Sequence, residues 1–138
     1  MYNLTVPEID RKAFENGYTG NIECDVLLSE DEYIVYKCMT FSISDDKSIY
    51  WHRLILTNKK IICLWKNKVE YTYLKHIKWL QLECVNNSNK ENYSYKLKEC
   101  VEDGNTPYLL NLNGDSILLN NKNDAMTLLD EINRLICE

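Results

Sequence analysis

The 138-residue sequence has few of the residues that interrupt or cross-link a chain: four glycines, two prolines, and six cysteines with no C-x-x-C pair. So little glycine and proline argues against a disordered or linker-rich chain. The two histidines do not lie at metal-ligand spacing. The longest apolar run, residues 61–65, is far shorter than the ~20 residues of a membrane-spanning helix. We therefore expect one ordered domain, without a metal site or cofactor.

The N-terminal residues, MYNLTVPEID, have neither the basic start nor the apolar centre of a secretion signal. We therefore expect a cytoplasmic protein in a reducing compartment. Its cysteines would then be free thiols, several of them buried as small apolar side chains.

Charge is unevenly distributed along the chain. The net charge of −5 disfavours general nucleic-acid binding, which needs a basic face. Residues 51–80 are nevertheless basic, with Glu70 as their one acid. The clustered lysines would be explained by turn solvation and strand-edge protection, or by a positive face for an anionic membrane or acidic partner. The candidate surface for an anionic ligand or partner comprises Arg53, Lys59, Lys60, Lys66 and Lys68.

Residues 51–73 are the clearest structural signal. Apolar runs at 50–57, 60–66 and 69–73 are separated by short polar turns, a pattern that predicts a β-meander. Alternation predicts further strands at 33–44, 93–101 and 108–112, and a β-like stretch over 74–85. Asn113-Gly114 predicts a hairpin with a return strand at 117–119.

The two ends of the chain are expected to be helical. Residues 1–21 form a predicted extension, with a short helix starting near Pro7; residues 22–138 form the domain. The C-terminal helix spans 121–138, with Asn121 as N-cap and Asp124 at the third position. Its predicted apolar stripe consists of Ala125, Leu128, Leu129, Ile132 and Ile136. Asp130 and Arg134 are spaced to form an ion pair.

Nothing in the sequence has the pattern of a catalytic site. His52 and His76 lack an orienting motif, so we interpret both as structural or surface residues. The acidic clusters at 30–32 and 45–46 lack the spacing of a calcium loop. Trp51, Trp65 and Trp79, spaced evenly, are interpreted as core or cross-strand packing. We therefore expect no enzymatic activity.

Three segments resemble bacterial pleckstrin-homology-like (PH-like) and GRAM-like domains: LSEDEYIVY at 28–36, RLILTNKK at 53–60 and VEYTYLKHI at 69–77. The resemblance implies a mainly β (α+β) fold, an antiparallel barrel of about seven strands capped by a C-terminal helix. The sequence departs from the family at Lys60, where arginine is usual, and in a helix without tryptophan. It also lacks the basic pattern that binds phosphoinositides in eukaryotic members.

Three functions remain open. The first is a non-enzymatic interaction module that binds a protein or peptide at a sheet edge or beside the C-terminal helix. The second is peripheral binding to an anionic membrane through the basic turns. The third is an acidic neutraliser of a basic toxin.

Overall fold

The computed structural model describes Tyr2, Leu4, residues 28–64 and residues 68–138. The described ranges contain seven strands and two α-helices, with 3₁₀ turns at Leu74–His76 and Lys90–Asn92. In chain order the elements are β1 (Ile34–Ile43), β2 (Ile49–Thr57), β3 (Lys60–Leu64), β4 (Val69–Tyr73), β5 (Leu80–Cys84), α1 (Tyr95–Glu102), β6 (Tyr108–Leu112), β7 (Asp115–Leu119) and α2 (Lys122–Ile136).

All seven strands form one antiparallel sheet in the order β4-β3-β2-β1-β7-β6-β5. The predicted mainly β fold with a C-terminal helix is therefore confirmed. Pairing is extensive within β1–β4 and within β5–β7. Between β1 and β7 the register contains only the pair Phe41–Leu118. The sheet thus consists of two closely paired halves joined at a short seam.

The predicted meander is confirmed at β2, at β4 and over the described part of β3. Strands β2 and β3 bury both faces, whereas β4 is largely exposed. Leu54, Leu56 and Ile61 face the main core together with α2. Ile55 and Ile62, on the other face, are fully buried in a second cluster that includes Leu28. Burial on both faces explains why these strands are nearly continuously apolar.

The strand predicted over 93–101 is wrong, because this segment forms α1. The Ser94 side chain accepts a hydrogen bond from the Leu97 amide and caps the helix. Leu97, Cys100 and Val101 are buried at helical spacing, whereas Tyr95 is exposed. The helix ends at Glu102 with Asp103 as its C-cap, and Gly104, with a φ of 95°, permits a Schellman motif after it. The apparent alternation came from tyrosines that do not share a buried face.

The β-like prediction over 74–85 holds only for β5. Leu74–His76 forms a 3₁₀ turn, and Leu74 and Ile77 are buried against the main core. These two anchors turn the chain between β4 and β5. The predicted Asn113-Gly114 hairpin is confirmed, with φ values of 51° and 94°. Its return strand begins at Asp115, two residues earlier than predicted.

Helix α2 is close to the prediction. The Asn121 side chain accepts from the Asp124 amide, and Ala125, Leu128 and Ile132 are buried. The C-terminal end of the buried apolar stripe differs from the prediction, however. Leu135 is buried and Ile136 is 39% exposed. Arg134 pairs with Glu131 and Glu138, and not with Asp130.

Trp51 packs against Phe41 as predicted, with ring centroids 5.7 Å apart. Trp79 is 49% exposed, so its interpretation as a packed side chain is wrong. Trp65 and the helix predicted near Pro7 lie outside the described residues. Among the described helices, none has the length and apolar character needed to cross a membrane.

Candidate functional site: a groove beside the C-terminal helix

A groove of about 600 Å³ lies between the sheet and the last turn of α2. The β2–β3 turn forms one side, the chain following β4 forms another, and the end of the helix forms the third. Its lining residues are Asn58, Lys59, Tyr73, Leu74, Lys75, Ile77, Leu135, Ile136 and Glu138.

Local hydrogen bonds fix the sheet side of this groove. The Thr57 hydroxyl oxygen accepts from the amides of Lys59 and Lys60, which closes the β2–β3 turn. The Asn58 side chain accepts from the Tyr33 amide. The Leu74 amide donates to the Lys59 carbonyl and fastens the end of β4 to the same turn. The groove wall is therefore preformed by the fold.

The groove combines an apolar floor with charged margins. Leu74, Ile77 and Leu135 are buried, while the Ile136 side chain is partly exposed. The Lys75 ammonium lies 6.0 Å from the centroid of the Tyr73 ring. Arg134 donates to the Glu138 carboxylate at 2.7 Å, which neutralises the acid at the margin. This chemistry suits an apolar side chain accompanied by an anionic group.

Strand β4 stands beside the groove at one edge of the sheet. Within the described residues it pairs with β3 on one side and with no strand on the other, so half of its backbone groups face outward. Tyr71 and Tyr73 are exposed by 44% and 42%. The Lys60 ammonium lies 5.0 Å and 5.7 Å from their ring centroids.

The basic residues singled out in the sequence do not converge. Lys60 is buried and pairs with Glu32. Lys59, at the same turn, pairs with Asp31. Lys68 lies beyond the opposite end of β4 and pairs with Glu70 at 2.8 Å. Arg53 is partly buried within β2, and Lys66 lies outside the described residues.

Of the groove residues, only Lys59 belongs to the candidate surface predicted from the sequence, and the missed residues include the exposed cation Lys75 and the exposed apolar side chain Ile136. The sequence predicts only that Lys75 belongs to the basic stretch 51–80 and that Ile136 belongs to the buried stripe of the C-terminal helix. Their exposure beside one groove depends on how the 3₁₀ turn and α2 pack together. A local pattern carries no signal for this, apart from the buried leucines that anchor each element.

The histidines occupy the places expected of structural and surface residues. The His52 Nε2 lies 2.9 Å from the Ser42 hydroxyl, which links β2 to β1. Burial lowers the pKa of His52 from 6.5 to about 4, although Glu70 opposes the shift. The imidazole is therefore neutral at pH 7. His76 is exposed and meets the Tyr73 ring edge-on at 5.9 Å.

Across the described residues, no group of three or more histidine, cysteine, aspartate or glutamate side chains is arranged to hold a metal ion. Comparison of the chain with protein-family models, with curated proteins and with solved structures finds no match. The arguments for function therefore come from the chemistry of the groove and of the β4 edge.

Proposed function

We propose that this chain is a non-enzymatic interaction module of PH-like architecture that binds an extended peptide of a protein partner. The observation that carries the proposal is the outer edge of β4, which pairs with no other described strand and lies directly beside the groove at the end of α2. Seven antiparallel strands followed by one amphipathic helix support the PH-like class. In this architecture the sheet would curve into a barrel, with α2 across one end.

The peptide would add to β4 as an eighth strand. Main-chain hydrogen bonds supply affinity in this mode, and pockets for alternate side chains supply specificity. Tyr71 and Tyr73 offer flat surfaces along the strand. The groove beyond Tyr73 accepts one apolar side chain on Leu74 and Ile77. Lys75 favours a carboxylate next to that side chain, so the expected partner is an acidic peptide with an apolar anchor.

Binding to an anionic membrane is the alternative. Lys59, Lys60 and Lys68 each have a carboxylate partner, which reduces the positive potential available to lipid headgroups. The peptide proposal needs only Lys75 as a cation and uses the apolar floor as well. For this reason we favour the peptide.

A displayed library of random peptides, selected on the immobilised full chain, tests the proposal. Selected peptides should contain an acidic residue near an aliphatic or aromatic one. Ile136→Glu and Lys75→Glu should each abolish binding, because they place negative charge at the groove. Tyr95→Ala, at an exposed position of α1, is the matched control and should bind normally. Failure to select any peptide, or equal binding by the groove variants, would contradict the proposal.

Co-sedimentation with neutral and anionic vesicles tests the alternative. The informative variants are Lys59→Glu and Lys68→Glu, whose side chains are exposed. Lys60→Glu is unsuitable, because it would place a second carboxylate against buried Glu32. If the chain pellets with anionic vesicles but not with neutral ones, and the variants do not pellet, the membrane-binding hypothesis is supported. No pelleting would exclude it.

A further inference from the structure

Tyr2 and Leu4, near the start of the chain, are bound at the end of α1 and at the β7–α2 connection. The amide of Tyr2 donates to the Asp103 carboxylate at 2.7 Å. The carbonyl of Tyr2 accepts from the Asn105 side chain at 3.0 Å. The carbonyl of Leu4 accepts from the Asn120 side chain at 2.7 Å. Three side chains thus bind the backbone of a segment about a hundred residues away in the sequence.

Both side chains of that segment are buried. Tyr2 is 3% exposed and Leu4 is 6% exposed. The Tyr2 hydroxyl lies 3.4 Å from the Glu99 carboxylate, which the Lys47 ammonium holds at 3.1 Å. Burial, and then the Glu99 charge, raise the pKa of Tyr2. The site therefore takes a neutral phenol whose hydroxyl donates, together with an aliphatic side chain two positions later.

The groups that hold the segment are positioned by the fold itself. The Asn105 amide donates to the Cys100 carbonyl at 3.0 Å in the Schellman motif, and its side chain donates to the same carbonyl at 3.1 Å. Asp103 is the C-cap of α1. Asn120 lies between β7 and α2, both of which pack against the main core. A clamp built on such elements needs little reorganisation to bind.

We propose that Asp103, Asn105 and Asn120 form a recognition clamp for a Tyr-x-Leu peptide, and that Tyr2 and Leu4 occupy it as an intramolecular ligand. The three side chains of the clamp form hydrogen bonds with main-chain groups. A partner peptide with the same two side chains could therefore make the same contacts as Tyr2 and Leu4. Its own segment competes at a high effective concentration because it is tethered. The clamp is distinct from the β4 groove, and a partner peptide would bind by displacing the segment.

The first test uses the full chain with Tyr2→Ala and Leu4→Ala, which removes both anchors. The probe is a fluorescent peptide with the sequence MYNLTV, followed by anisotropy. We expect the substituted chain to bind it about tenfold or more tightly than the wild type, where the tethered segment competes. A probe with alanine at the tyrosine and leucine positions should not bind. Asn120→Ala in the substituted chain should weaken binding, and Ile136→Glu should leave it unchanged.

The proposal fails if the substituted chain keeps its circular dichroism spectrum but does not bind the probe. It also fails if the alanine probe binds equally well.

A second measurement avoids the substitutions altogether. Unlabelled MYNLTV is titrated into the ¹⁵N-labelled wild-type chain. Displacement should move the Tyr2 amide resonance to its position in a free peptide, while the Asn105 and Asn120 side-chain resonances remain dispersed. A Tyr2 resonance that does not move at saturating peptide would overturn the proposal.

Discussion

The Lys60 ammonium lies 3.2 Å from the Glu32 carboxylate, and the two side chains are only 11% and 0% exposed. The same carboxylate accepts hydrogen bonds from the Thr57 hydroxyl and the Ser29 amide. Burial alone would raise the pKa of Glu32, but these hydrogen bonds and Lys60 together hold it below its ordinary value. The neighbouring pair Lys59–Asp31 is 40% and 75% exposed. Two consecutive lysines in one turn therefore have different roles.

Lys60→Ala should destabilise the chain by about 3–5 kcal/mol, because it leaves the Glu32 charge buried without its cation. Lys59→Ala is the matched control, and its urea midpoint should stay close to that of the wild type because exposed pairs contribute little. Urea unfolding followed by tryptophan fluorescence measures both. Equal urea midpoints for the two variants would show that the buried pair Lys60–Glu32 contributes no more to stability than the exposed pair Lys59–Asp31.

Stability should fall as the pH falls from 6.5 towards 4, because His52 stays neutral in the folded chain while the unfolded chain takes up a proton. A depressed histidine pKa means that its stabilising contribution is complete above 6.5 and is lost progressively below it. Above about pH 5 the carboxyl groups are largely ionised, so that part of the curve isolates the histidine. His52→Gln should flatten the slope of unfolding free energy there.

His76→Gln is the control for this measurement, since His76 is exposed. Its curve should follow the wild type across the same pH range. A His52→Gln curve that keeps the wild-type slope would mean that another group causes the pH dependence.

Asn113 should matter through both its backbone and its side chain. Its side-chain oxygen accepts from the amides of Lys78 and Trp79, and its side-chain nitrogen donates to the His76 carbonyl at 2.7 Å. Asn113→Gly keeps the positive φ but loses these bonds, at an expected cost of about 1–2 kcal/mol. Asn113→Ala should cost about 1 kcal/mol more, because alanine disfavours the left-handed conformation.

Thermal unfolding compares these two variants with Asn87→Ala, an exposed asparagine in the loop before α1. The Asn87 variant should unfold like the wild type. If glycine at position 113 proved as stable as asparagine, the side-chain bonds would contribute nothing.

The thiols should differ sharply in reactivity. Cys137 is exposed, whereas Cys38 and Cys100 are buried. Burial raises the pKa of Cys38 well above its ordinary value, that of Cys63 to about 12 and that of Cys100 to about 11. Because the thiolate is the reactive form, iodoacetamide at neutral pH should modify Cys137 before Cys38, Cys63 and Cys100.

Peptide mass spectrometry over a time course identifies the modified sites. Cys38 and Cys100, which are buried, and Cys63, whose pKa burial raises to about 12, should react only after urea is added. Modification of Cys38 or Cys100 at the rate of Cys137 in the folded chain would contradict the burial described here.

Several local signals in the sequence predicted the structure correctly. The β2 and β4 alternation, the Asn113-Gly114 hairpin and the Asn121 cap each depend on residues a few positions apart, and each is confirmed. In such places the backbone preference and the burial pattern point to the same element, so no distant contact is needed to decide between alternatives.

The features that the sequence did not predict depend on tertiary contacts. Residues 93–101 alternate well enough to predict a strand, yet Leu97 and Val101 pack with Val85 and Leu109 only if the segment is helical. Lys60 resembles any turn lysine until Glu32 is folded against it. The joining of Tyr2 to Asp103, and the placing of Lys75 beside Ile136, bring together residues that are far apart in the chain. A short sequence window contains no physical information about such contacts, because packing fixes them only once the whole sheet has formed.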